Sequence, residues 1–231
     1  VKYFKMKKLF TLLMLTVSFN MASQLGNTYY GLSAFDSNAA GEYNSAFGYQ
    51  SMHGNNITGS HNTALGVSSL RFLTTGQKNT ALGNFSLYYN TTGEQNVGVG
   101  YYSLFTNTAH GNTAVGYYSL KENTTGMYNV SIGHSSLTAN TTGAYNSAIG
   151  YLSMQNNTTG QFNTALGINT LNNITTGSSN TSIGYSTSAS SSAAINQTVI
   201  GFQADGQADN SVVLGNSDVT AIYMAEDSGA T

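Results

Sequence analysis

No cysteine, proline or tryptophan occurs anywhere in this chain. Without cysteine there is neither a disulfide framework nor a thiolate metal site. The lack of proline suits a backbone whose N–H groups are nearly all needed in sheet ladders. Charge is scarce as well. Only 7% of the residues are Asp, Glu, Lys or Arg, against the usual quarter of a globular chain. With 40% hydrophobic residues that scarcity does not signal disorder. Gly, Asn, Ser, Thr and Tyr supply the polarity instead.

The one apolar run is N-terminal. Met6-Lys7-Lys8 is followed by Leu9 to Val17 and then by the small residues Ala22 and Ser23. This pattern predicts a secretory signal peptide over residues 1–23, with Val1 to Lys5 upstream of the true start and cleavage near Ala22 to Gln24. It is too short for a membrane span, so no transmembrane segment is expected after signal removal. The alternative is a buried helix capping the rest. Beyond residue 23 only Arg71, Lys78 and Lys121 remain against nine acids, a net charge of 3 − 9 = −6. Such a chain has no electrostatic footprint for nucleic acid. The expected location is outside the cell or on its surface.

What the chain does have is a beat. Glycine returns at Gly31, Gly48, Gly66, Gly83, Gly100, Gly116, Gly133, Gly150, Gly167, Gly184, Gly201 and Gly215. The spacing is 16–18 residues, shortening to 14 in the last interval. A short fixed period means one small unit stacked on copies of itself. The reference unit is Asn79 to Gln95, N-T-A-L-G-N-F-S-L-Y-Y-N-T-T-G-E-Q. From the anchor glycine to the ninth-place Leu or Met is always four residues, so length changes fall in Met52–Asn62 and Leu104–Asn112. Segments that absorb insertions are loops.

These rules predict an all-β parallel solenoid of about twelve coils, each with two short strands around N-T-A-L-G and S-L. At ~4.8 Å per coil the rod would be about 55–60 Å long. Strand alternation is read as turning the fourth place inward with the second. The expected core ladder is then Leu65, Leu82, Val99, Val115, Ile132, Ile149, Leu166 and Ile183, and the small third place faces out. First-place asparagines are expected to hydrogen-bond between coils. The expected organisation is a signal segment (1–23), an irregular N-terminal coil or cap (24–41), seventeen-residue repeats (42–184), shorter repeats (185–216) and a transition (217–231) toward a further C-terminal region.

The N-[ST]-A-[LIV]-G strands and their tandem spacing resemble the YadA-like head repeats of trimeric autotransporter adhesins. The nearest stretch is Asn196 to Asn216, N-Q-T-V-I-G-F-Q-A-D-G-Q-A-D-N-S-V-V-L-G-N. The longer N-T-A-L-G-x-x-S-L-x-x-N-T-T-G form, over 41–184, is similar to arrays in bacterial surface and tail-fibre-like proteins. The resemblance implies a left-handed β-roll, three chains side by side as a homotrimer, and a head or fibre that attaches to a glycan, matrix or host surface. Thr stands where such heads often place an apolar residue, and residues 24–231 carry no pattern expected for a membrane barrel or heptad stalk. A phage-like tail fibre is the alternative within the same architecture.

Chemistry-bearing patterns are sparse. There is no G-x-S-x-G elbow, H-E-x-x-H or Walker-type lysine loop, so no enzyme activity, cofactor or metal is expected. His53, His61, His110 and His134 fall at different unit positions. Tyr49, Tyr101, Tyr117, Tyr151 and Tyr185, just after the anchor glycine, form the candidate surface. They are either a stacking surface for a ligand or packing within the turn and between chains; the packing alternative is preferred on sequence. The T-T pairs of the N-T-T-G turns suggest an ice-binding file, the least favoured of the three functions.

Overall fold

The computed structural model describes residues 26–35 and 39–221. The expected signal segment and the end of the transition segment lie outside them. Within them the chain is a parallel β-solenoid without a helix. Twelve three-residue strands, from β1 (Thr28–Tyr30) to β12 (Val212–Leu214), form one sheet in strict sequence order. Every neighbouring pair is parallel and in register. Ser45 pairs with Thr63 across the eighteen-residue coil, and Val97 pairs with Thr113 across the sixteen-residue one. The elastic turn therefore absorbs the extra or missing residue and leaves the sheet untouched. The described residues of the N-terminal coil join the array: Thr28 pairs with Ser45, and the Asn44 N–H donates to Asn27 Oδ1 at 2.6 Å.

Each coil carries one strand rather than two. Around S-L the chain instead alternates into the left-handed region: Ser68 has φ 55°, Leu70 φ 49°, and Lys78 at the unit's end φ 56°. The same three places repeat this geometry along the rod. Such conformations cost about 1–3 kcal/mol each for non-glycine residues and persist only where the surroundings enforce them. The neighbouring coils do the enforcing. The Ser68 N–H donates back to Tyr49 O at 2.8 Å, and the Leu70 N–H donates forward to Ser86 O at 3.0 Å. An isolated coil lacks these partners, so the unit is stable only in a stack.

The facing is the reverse of the expectation. In the strands it is the third place that is buried: Ala46, Ala64, Ala81, Ala114 and Ala148 are fully inside. Leu65, Ile132, Ile149, Leu166 and Ile183 point outward and are 37–53% exposed, while Leu82, Val99 and Val115 are half-buried. The reason is space. A Cβ built on Gly98, at the same place, would lie 2.5 Å from Ser86 Oγ and 3.1 Å from Ser103 Oγ. Where the Ser-Leu pair lies opposite, the inward pocket holds only Gly, Ala or Ser; Val199 enters it further along, in a coil without that pair.

The core that results is narrow and half polar. Its apolar column is the ninth place, Met52, Leu70, Leu87, Leu104, Leu120, Leu137, Met154 and Leu171, all fully buried. Beside it runs the first-place asparagine ladder. The Asn79 N–H and side-chain amide both donate to Asn62 Oδ1 at 3.0 Å, and Asn79 Nδ2 also donates to Gly93 O at 2.8 Å. The pattern continues to Gln197, whose N–H donates to Asn180 Oδ1 at 3.0 Å. The glycine beat has two causes at once. Gly66 has φ 136°, and a Cβ there would sit 2.7 Å from the carbonyl of Gly83 in the next coil.

Candidate functional site

The residue after the anchor glycine leaves the strand and points out from the corner of the coil. Stacking then places one such side chain per coil in a column. All five tyrosines singled out from sequence do project outward: Tyr49, Tyr101, Tyr117, Tyr151 and Tyr185 are each 40–49% exposed. They do not form one continuous column. Tyr101 stacks on Tyr117 at 5.6 Å between ring centroids, Tyr117 on His134 at 4.9 Å, and His134 meets Tyr151 at 5.3 Å. Tyr185 stands apart with Phe202 at 5.5 Å, and Tyr49 is followed by Val67.

The continuous run belongs to a broader aromatic field that sequence reasoning missed. Tyr102 and Tyr118, next in the chain, lie half-buried beside Tyr101 and Tyr117. Two further columns follow the buried ninth-place leucine. Phe72 stacks on Tyr89 at 5.4 Å, and Tyr88 on Phe105 at 5.1 Å. Tyr102 to Phe105, at 4.5 Å, joins the columns across the coil. The available signal was the doublets Tyr88-Tyr89, Tyr101-Tyr102 and Tyr117-Tyr118, which cluster in consecutive coils. These contacts pack the rings against one another and still leave Phe72, Tyr89, Tyr101 and Tyr117 exposed. The rings thus divide into some packed within the rod and some left exposed on it.

Cations border this field. The guanidinium of Arg71 lies 5.4 Å from the Phe72 ring centroid, and the Lys121 ammonium 5.1 Å from that of Tyr118. The field itself is neutral. Desolvation by its neighbours pushes the Tyr102 phenol above the ordinary tyrosine value, with Tyr101 adding to it. Hydrogen bonding to Tyr118 does the same for Tyr117.

Further along the same edge the rings give way to amides. Asn156, Asn169, Asn172 and Asn173, with residues 186–188, line an open depression of about 370 Å³. Asn156 Nδ2 donates to Asn172 O at 2.8 Å, so much of this polarity is spent within the rod. The N-T-T-G turns are similarly divided. Thr74, Thr141 and Thr158 donate their hydroxyls to the carbonyl of the next coil's threonine at 3.0–3.1 Å and are half-buried, while the second threonine of each pair, such as Thr75, Thr142 and Thr159, is exposed; in Thr124-Thr125 both are exposed.

Among the described residues no group of three His, Cys, Asp or Glu side chains is placed to hold a metal ion. Nor do the described residues contain any helix long and apolar enough to cross a membrane. No protein-family model matches this chain, and no curated protein matches it in sequence.

Proposed function

We propose that the chain is a non-enzymatic structural and adhesive segment: a rigid head or fibre, exported to the cell surface or beyond, that attaches through multivalent contacts. The observation that carries this reading is the outer face of the sheet. Its fourth-place column runs Phe47, Leu65, Leu82, Val99, Val115, Ile132, Ile149, Leu166, Ile183, Ile200 and Leu214, with Thr, Ser or Val beside it and no charged residue in any of the twelve strands. A flat, uncharged aliphatic face of that length favours burial against another surface, and copies of the same chain offer one of matching shape. The homotrimer implied by the resemblance to adhesin heads uses this face, with the aromatic field left to meet a ligand. Side-by-side chains would multiply weak contacts by avidity.

The test has two parts. Sedimentation of the folded chain at micromolar concentration should give a trimer, and Ile149→Glu should shift it to monomer, because an unpaired charge is costly in an apolar interface. A stable wild-type monomer overturns the trimer. Display of the chain on a non-adherent cell should confer attachment to glycan- or matrix-coated surfaces. Failure to attach overturns the adhesive reading and leaves the tail-fibre alternative, in which the segment is a spacer. Ice binding is less favoured because the exposed threonine file of the turns skips the sixteen-residue coil, where the second threonine is absent.

A further inference from the structure

One column of the aromatic field has cations at both ends. The residue after the buried ninth-place side chain reads His53, Arg71, Tyr88, Phe105 and Lys121 in successive coils, held in register by the Leu70 N–H to Ser86 O and Leu87 N–H to Ser103 O bonds. Arg71, Lys78 and Lys121 are the only Lys or Arg side chains among the described residues, so two of three stand in this column.

The polar nitrogens at its N-terminal end are unspent. Arg71 Nη1 and His53 Nδ1 are both shielded from solvent and both lack a hydrogen-bond partner. No acidic side chain among the described residues forms an ion pair with Arg71; the one ion pair there is Lys121–Glu122, at 3.7 Å and exposed. A shielded guanidinium nitrogen without an acceptor is costly unless something supplies one. Between the two ends Tyr88 stacks on Phe105 at 5.1 Å.

We infer that this column binds a linear anionic glycan, its sugar rings lying across the outer edges of the stacked Tyr88 and Phe105 rings and a carboxylate or sulfate accepting from Arg71, beside His53. The inference rests on the attachment reading above. Three features favour a glycan over a peptide or a globular partner. The aromatic contacts repeat once per coil along a straight axis, and an extended sugar residue is close to one coil spacing in length. From Arg71 to Lys121 is three coil steps, ~14 Å, the span of a short oligosaccharide. Arginine beside an aromatic face suits a ligand that alternates apolar ring faces with anionic groups.

The experiment is calorimetric titration of the full chain with three tetrasaccharides: sulfated (from heparin), carboxylated (from hyaluronan) and neutral (from chitin). At least one acidic ligand should bind about tenfold more tightly than the neutral one, and hyaluronan binding as tightly as heparin would show that a carboxylate alone suffices. Arg71→Gln should remove about that tenfold for the acidic ligand and leave the neutral one unchanged, with Arg71→Lys retaining part of it. Tyr88→Ser should weaken all three ligands, and Lys121→Gln offers a second charge deletion at the far end should Arg71→Gln fold poorly. Circular dichroism and sedimentation check that each variant keeps the rod. The inference is overturned if the folded chain binds no acidic ligand, binds the neutral one equally well, is insensitive to both charge deletions, or binds only a peptide through this column. Displayed cells that still adhere in the presence of excess acidic oligosaccharide would sink the glycan assignment alone. Cells that never adhere would sink the attachment reading as well.

Discussion

Two asparagine ladders run through this rod, and they differ in length. The first-place ladder starts at Asn27 and continues without interruption to Asn180, closing on Gln197. The second is formed by the asparagine of N-T-T-G and has five members, Asn90, Asn107, Asn123, Asn140 and Asn157. Beyond its ends the same place holds Leu73 on one side and Ile174 on the other, both fully buried. Both ladders are inside, so burial does not explain why one tolerates aliphatics and the other does not.

The difference lies in what each amide satisfies. A first-place side chain accepts from the next coil's backbone N–H, as Asn129 Oδ1 does from Asn146 N–H at 3.0 Å. It also donates to a glycine carbonyl in the next coil. Toward the backbone, a second-ladder amide donates only to a carbonyl that already has a donor; its other bond, as from Asn140 Nδ2 to Asn123 Oδ1 at 2.7 Å, stays within its own ladder. Gly143 O receives Asn129 Nδ2 at 2.9 Å and Asn140 Nδ2 at 2.9 Å. Where an aliphatic replaces the second-ladder residue, the first ladder alone serves the glycine: Asn163 Nδ2 reaches Gly177 O at 2.8 Å in the coil that carries Ile174. One ladder is obligatory and the other redundant, and the redundant one ends where aliphatics take over.

The sharpest way to break this comparison is Asn163→Leu. Leu is close to Asn in shape, so the main change is polarity. It removes the side-chain donor to Gly177 O and leaves the Asn180 N–H without its 3.0 Å acceptor. Two buried backbone groups orphaned at about 1–3 kcal/mol each should cost about 4 kcal/mol. Asn129→Leu should cost about half, because only the Asn146 N–H is orphaned while Asn140 still serves Gly143 O. Urea titration of the two variants, with hydrogen exchange to locate the loosened coils, checks the ratio. Equal costs would mean that the second ladder gives Gly143 no cover.

The apolar column supplies a scale for these numbers. Leu120→Ala, in the fully buried ninth place, should cost about 2–4 kcal/mol, and less if the neighbouring coils close the cavity. It therefore falls between the two asparagine variants or beside the larger one.

How much of this was legible in sequence depends on the kind of signal. Period, register and the location of the elastic turn followed from counting, because an unchanged four-residue interval between Gly and Leu or Met marks paired backbone. The facing did not. Alternation in N-T-A-L-G says that Thr and Leu share a side, and assigning that side to the core followed the usual preference for burying the larger residue. In a coil this thin the ninth-place leucine and the serine before it already fill the interior, leaving room for Ala46 or Ser131; the larger Val199 is buried only in a coil where that Ser-Leu pair is missing. The second strand was misread for a related reason: Leu70 and Leu87 look like strand residues, and the left-handed backbone they adopt is unusual for leucine. At the candidate site the tyrosine column was legible because it recurs with the glycine. The rest of the aromatic field was not, because Phe72, Tyr88 and Phe105 occupy places that hold Asn, Thr or Gln in other coils.

The smallest expected effect is also the most discriminating. Asn157 ends the second ladder: its Nδ2 donates to Asn140 Oδ1 at 2.8 Å and to Gly160 O at 3.2 Å, but its Oδ1 is buried with no partner. The next coil places Ile174 there and offers no donor. Asn157→Leu removes that orphaned oxygen and adds apolar contact with Ile174. Gly160 O keeps its 2.8 Å bond from Asn146 Nδ2. Against this, Asn140 Oδ1 loses its donor, so the orphan moves down one coil rather than disappearing. The balance should lie within about 1 kcal/mol of zero and lean toward stabilisation through the added apolar burial. The double variant Asn140→Leu with Asn157→Leu moves the orphan to Asn123 Oδ1 and buries a second leucine, so it should be at least as stable as the single. A loss of several kcal/mol in either variant, measured by the same urea titration, would show that the second ladder is not redundant and that Leu73 and Ile174 are tolerated only because their own coils have adjusted around them.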